Sequence, residues 1–417
     1  MAVRDVDAGL LRAVIAEPDW TEAVDETLPN GLRIVAIPAP HAKVVRAELF
    51  LPRRWKRGLE VGLDWWAWKA SWTKWRRSAV GGLTQRHDYR SWNAWSARLE
   101  SPNLARVAEL LEHYVRGQKL DWRYVKLTSK ASGSPRPSQA AAAVHDAAFA
   151  PRVPQTWNAR AEAARWLDKE QLLDHLAQMV RPRGALVVIT GPEPAVRMKQ
   201  QVERRLRRWK GPTEARAPLP EGVLAPPARI VETIADPRLP SQSHVVVSCR
   251  LAERTGPRVE LVAAVVKERL WADLRDTRGW TYGVSSWVES ERGGGRLVVS
   301  TRVQRDATGQ AAAEVLDTLR TLADEGPTPT ELERGQLAIA SKFADDLQTS
   351  GQVVDHVGER LLGGGSLDEP LHASLLGVEA SDIARLLAKC PKREVVTVVG
   401  DPSVAEFLEE AGVRSGD

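Results

Sequence analysis

The sequence predicts an α+β protein built from two copies of one sandwich domain, each an antiparallel sheet with helices on one face. Three observations carry this. "ALVVITGPEPAV" (185–196) returns as "EVVTVVGDPSVA" (394–405), a β-branched run that meets glycine, an acidic residue and proline before a helix start. "GLRIVAIPAPHAKVVRAELFL" (31–51) matches "PARIVETIADPRLPSQSHVVVSCRL" (227–251), each a short strand, a turn with proline and a second alternating strand. Between the halves, "GPTEARAPLPEGVLAPPAR" (211–229) is proline-rich and aperiodic, as an extended tether would be. A repeat of about 200 residues implies two homologous domains rather than a solenoid. The expected units are 1–215, a linker at 211–229, and 226–417.

The elements follow in order. In the first half, the strand pair of 31–51 leads to "GLDWWAWKASW" (62–72), which reads as a packed helix, and "ELLEH" (109–113) sits on another. After the strand at 185–191, "RMKQQVERRLRRWK" (197–210) places Val202, Leu206 and Trp209 at helical spacing, with its charges on a solvated face. In the second half, residues 258–275 place Leu261, Val262, Val265, Leu270 and Leu274 mostly on one face. "ESERGGGRLVVSTRV" (289–303) reads as a hairpin. Its glycines lead into a strand rather than a helix, so they do not form a phosphate cradle. "TPTE" (328–331) is a capping box with proline at the first helical position, opening a helix to about Gln348. "LLGGGSLDEP" (361–370) is a loop between helices.

Composition narrows the function classes. The net charge of +5 over 417 residues does not by itself predict nucleic-acid binding, although 52–57, 74–77 and 197–210 are locally basic. No apolar run approaches the roughly 18 residues needed to cross a bilayer. The first twenty residues lack a secretory pattern, so a cytoplasmic location is expected. Two cysteines, Cys249 and Cys390, suggest neither a disulfide framework nor a thiolate metal site, and are read as buried thiols. Sixteen tryptophans stand against four Phe and four Tyr, and nine of them fall between Trp55 and Trp122. Dense indole suits core or interface packing, and it also suits a ligand pocket.

Several segments resemble the insulinase/pitrilysin family of metallopeptidases, which includes the mitochondrial processing peptidase. "LPNGLRIVAIPAPHAKVVRAELFL" (28–51) resembles its opening strands. "LRDTRGWTYGVSSWV" (274–288) resembles its C-terminal-domain motif through Arg275, Arg278, Gly279 and Tyr282, and "TPTELERGQLAIASKF" (328–343) resembles the long helix that follows. The family's catalytic helix carries Gly-Leu-x-His-x-x-Glu-His, in which two histidines one turn apart hold zinc and the glutamate is the base. Here "GLDWWAWK" occupies that framework, with Trp65, Trp68 and Lys69 at the three positions. Indole only donates, and an ammonium repels zinc. No HxxEH occurs anywhere in the chain, and "WRYVKLTSKASGS" (122–134), where the last ligand is expected, has no Asp or Glu. The eight histidines are scattered, so no catalytic residue, no metal ligand and no cofactor are expected.

The resemblance implies half of a clam-like chamber: a zinc-less subunit, inactive alone, beside a zinc-carrying paralogous partner. Arg275 and Tyr282 are the candidates for holding peptide substrate. Arg275 closes a helix, so its head projects from the end. Strand alternation puts Tyr282 on one face with Val284, which raises a core role for it. The alternative is a non-catalytic scaffold whose Trp-rich first domain holds a hydrophobic ligand or another protein. A homodimer is the alternative assembly. Nucleic-acid binding ranks behind these readings, and no membrane partner is expected.

Overall fold

A computed structural model describes residues 20–52, 94–116, 122–123, 125–126, 168–211, 230–235, 239, 241–251, 253, 256–291, 294–347, 349–362, 365–367, 375–391, 393–400 and 404–410. In the first half β1 (Val24–Thr27), β2 (Arg33–Pro38), β3 (Val45–Pro52) and β4 (Ala94–Ser101) lead to α1 (Leu104–Arg116), α2 (Lys169–Met179), β5 (Leu186–Gly191) and α3 (Ala195–Leu206). In the second, β6 (Ile230–Ala235) and β7 (Gln242–Leu251) precede α4 (Pro257–Leu270) and a π-helical segment (Trp271–Thr277). The hairpin β8 (Thr281–Glu291) and β9 (Gly294–Gln304) follows. Then come α5 (Thr308–Asp324), α6 (Pro329–Leu347), α7 (Ser350–Leu362), α8 (Ala380–Leu387), β10 (Val395–Gly400) and α9 (Val404–Glu410).

The two sheets share one strand order. The first runs β1-β2-β5-β3-β4 and the second β6-β10-β7-β9-β8, so β2-β5-β3-β4 matches β6-β10-β7-β9. In each, the first pair is parallel and the next two are antiparallel. The fold class is therefore the one expected. The repeated runs "LVVITG" and "VVTVVG" are the strands β5 and β10, buried at every residue because they lie inside their sheets. All of the expected linker except Gly211 lies outside the described residues.

Each sheet buries one face under helices. Ile34, Leu49, Leu99 and Val187 pack with Leu111, Leu176 and Val202 in the first half. Val247, Leu297 and Val398 pack with Leu261, Val265, Leu319 and Leu386 in the second. Trp209 joins the first core at 3% exposure, as its spacing with Val202 and Leu206 requires. The expected cap is present: Glu331 N donates to Thr328 Oγ1 at 3.3 Å, and Thr328 N donates to Glu331 Oε2 at 2.8 Å. Thr328→Ala is expected to cost about 1 kcal/mol in chemical denaturation, the ordinary value of an N-cap.

Two features go beyond the sequence reading. The first sheet is also covered on its other face, by α7 from the second half. Val354, Val357 and Leu361 pack there on Val35, Ile37, Phe50 and Val188. Gly358 permits this approach, since a Cβ there would overlap the Phe50 ring. The second feature is a correction: Cys249 and Cys390 are not free thiols. They form a disulfide, with Cα atoms 5.1 Å apart across 141 residues of sequence. The fold brings the core face of β7 to the turn after α8, which spacing alone could not indicate.

Where α7 crosses the first sheet it buries charge. Glu48 on β3 lies directly opposite Arg98 on β4, which bonds Glu48 at 3.0 Å and also pairs with Asp355 of α7. Burial, then the neighbouring Asp355, drives the Glu48 carboxyl up to about 7 against the pull of Arg98 and a Ser96 hydrogen bond. The folded state thus prefers Glu48 protonated. Its contribution to stability is full below the ordinary carboxylate pKa and is lost as pH rises through about 7. Glu48→Gln should flatten the fall in unfolding free energy between pH 5 and 8, measured by urea titration at several pH values. An unchanged slope would show that Glu48 ionises normally.

Candidate functional site

The segment from Trp271 to Val284 builds an exposed cationic and phenolic surface on the second sheet. α4 starts at Pro257 and buries Leu261, Val262, Val265 and Leu270. It then widens into the π-helical segment, a form frequent at functional sites. Gly279, at φ +65, ends it, with its N–H on Arg275 O at 3.1 Å and Trp280 N on Leu274 O at 2.9 Å. The chain turns at once into β8, the edge strand.

The register of β8 slips between Thr281 and Val284. Thr281 Oγ1 accepts from Gly283 N at 3.1 Å and lies 2.7 Å from Arg302 O, which fixes the backbone on both sides of Tyr282. Val284 therefore enters the core at 3% exposure, while Tyr282 is 83% exposed. Simple alternation put the two side chains on one face. The irregularity separates them, so the core role raised for Tyr282 does not hold.

Arg275 is brought to the same place. Its Nη1 donates to the Tyr282 carbonyl, and its guanidinium stacks over the Trp271 ring, 4.6 Å from the centroid. Trp271 and Arg275 are four residues apart on the helical end. The same indole lies under Gly283, where a Cβ would approach it to 3.3 Å. Trp271 is thus a platform that positions both partners. Beside it, Arg278 stacks on Trp280 at 4.7 Å and pairs with Asp273 at 3.2 Å and Glu314 at 3.0 Å. Burial, then Asp273, holds the Glu314 carboxyl above its usual range despite Arg278. Arg278 is therefore engaged within the fold, whereas Arg275 has guanidinium donors beyond the one given to Tyr282.

Arg275 and Tyr282 were expected from the sequence. Trp271 was not, although its i, i+4 spacing to Arg275 was a usable signal. Trp65, Trp68 and Lys69, the positions aligned with a zinc motif, lie outside the described residues, as do seven of the nine tryptophans between Trp55 and Trp122. Among the described residues no group of three His, Cys, Asp or Glu side chains converges as metal ligands would.

Residues 167–339, which span this surface, match the family model described as the peptidase M16 inactive domain. This stretch, which runs from the end of the first half into the second, resembles the peptidase M16 inactive domain. Solved structures extend the fold beyond the matched stretch. A peptidase M16 inactive domain from Pseudomonas fluorescens is 15% identical, with a TM-score of 0.74, over 91% of this chain and 97% of that one. A protease from Helicobacter pylori is 12% identical, TM-score 0.75, over 91% and 99%. The first half of the periplasmic protease PqqL from Escherichia coli is 12% identical, TM-score 0.67, over 96% and 99%. At these identities the likeness is one of fold. No curated protein matches the sequence. The insulinase/pitrilysin resemblance read from the sequence stands on the M16 match and the shared fold. Arg275, Tyr282 and Trp271 all fall inside the stretch that matches the M16 inactive-domain model.

Proposed function

We propose that this chain is the zinc-less subunit of a two-subunit, bacterial-type metallopeptidase. It holds the peptide substrate for a zinc-carrying paralogous partner and is inactive alone. The observation that carries this is an exposed tyrosine and arginine, joined through the Tyr282 carbonyl on one indole platform, within a stretch similar to the M16 inactive domain. Arg275 offers bidentate donors to a peptide carbonyl or carboxylate, and Tyr282 offers a phenolic donor to a developing oxyanion. A charged and an aromatic side chain so exposed contribute little to the core. Their ordered placement is better explained by a ligand.

No helix among the described residues is long and apolar enough to cross a membrane. The cytoplasmic location expected from the N-terminus is disfavoured by the Cys249–Cys390 disulfide, since such bonds persist in oxidising compartments. The test of function is reconstitution. The chain is co-expressed with a paralogue carrying HxxEH, and peptide cleavage is measured for each alone and for the pair. Cleavage by the pair, abolished by a chelator and absent from this chain alone, supports the reading. Cleavage by the zinc-carrying chain at full rate without this one contradicts it.

A further inference from the structure

The basic helix α3 plays no part in the peptide-holding surface, and it has a counterpart of opposite sign. α1 packs on α3 in the first half as α5 packs on α9 in the second, at places made equivalent by the shared strand order. From Ala195 to Lys210 the chain carries seven basic side chains and one acidic. Thr308 to Glu325 carries four acidic and one basic, and Val404 to Glu410 adds three acidic and no basic. Arg204, Arg207, Arg208 and Lys210 are exposed on one surface, and Asp317, Asp324, Glu325 and Glu406 on the other.

Local pairs use part of this charge. Lys199 meets Glu26 and Glu203, Arg205 meets Glu112, and Arg320 meets Asp317. An excess of one sign remains on each surface, and self-repulsion within it is relieved when the opposite surface docks. The nature of the basic surface narrows the occupant. Trp209 is only 3% exposed, so it offers no stacking platform for nucleic-acid bases. Val196 is the one large hydrophobic side chain of α3 that stands exposed, so the helix has no apolar face to enter a membrane.

We propose that the basic α3 surface of one copy docks on the acidic α5–α9 surface of a second copy of this chain. The two surfaces differ, so the contact is heterologous and its strength is set by charge. It is independent of the peptide-holding reading. The test is sedimentation velocity of the full chain over a range of concentrations at low and high salt. Reversible association is expected at low salt, lost at high salt. Arg204→Glu with Arg208→Glu, and separately Asp324→Lys with Glu325→Lys, should each weaken it by about tenfold or more. An equimolar mixture of the two variants should associate again, because the unchanged α3 of one then meets the unchanged α5–α9 surface of the other, and reversed α3 meets reversed α5. A monomer at low salt, association indifferent to the reversals, or a mixture that stays monomeric would overturn the proposal. So would a chain that remains monomeric yet binds a homopolymeric RNA through α3.

Discussion

Arg275→Ala, in a complex with a zinc-carrying paralogue, is expected to lower peptide turnover by about 100- to 1,000-fold, the usual cost of losing one hydrogen bond felt in the transition state. Tyr282→Phe should act in the same range and leave the ring in place. Neither change should disturb the fold, because Tyr282 is 83% exposed and Arg275 also lies on the surface. Trp271→Ala tests positioning. It removes the platform under Arg275 and Gly283 without touching the donors, so it should raise KM and lower kcat together. Full turnover by both Arg275→Ala and Tyr282→Phe would make the surface structural, and the scaffold reading would gain.

Reduction of the Cys249–Cys390 disulfide is expected to lower stability by about 2–5 kcal/mol, because it releases a long loop in the unfolded chain. The bond spans 141 residues and ties β7 to the end of α8, both within the core of the second half. Thermal unfolding with and without dithiothreitol checks this, together with Cys249→Ala paired with Cys390→Ala. Equal midpoints, or two titratable thiols in the purified protein under native oxidising conditions, would contradict the bond.

Much of this architecture was legible in the sequence, and the reason is burial. β5 and β10 are buried on both faces, so they must read as continuous β-branched runs, and they announce the repeat. The capping box at Thr328 and the face of α4 were equally plain, since local chemistry determines both. What escaped depends on tertiary contact. The slip at Thr281 is made by a hydroxyl reaching the backbone of Gly283 and Arg302, and no alternation rule contains it. Arg98 finds Asp355 across 257 residues of sequence, because α7 crosses to the other half. Glu48 facing Arg98 did have a signal: charged residues at alternate places in an otherwise apolar strand mark a sheet face with something on it.

The most direct test of a substrate-holding role is a photocrosslink. A benzophenone amino acid at position 282, in the complex with the zinc-carrying partner, is irradiated in the presence of a labelled peptide substrate. The account predicts a crosslink between this chain and the peptide that unlabelled substrate competes away and Arg275→Ala diminishes. No peptide crosslinked at position 282 while the complex still binds the labelled peptide would contradict it.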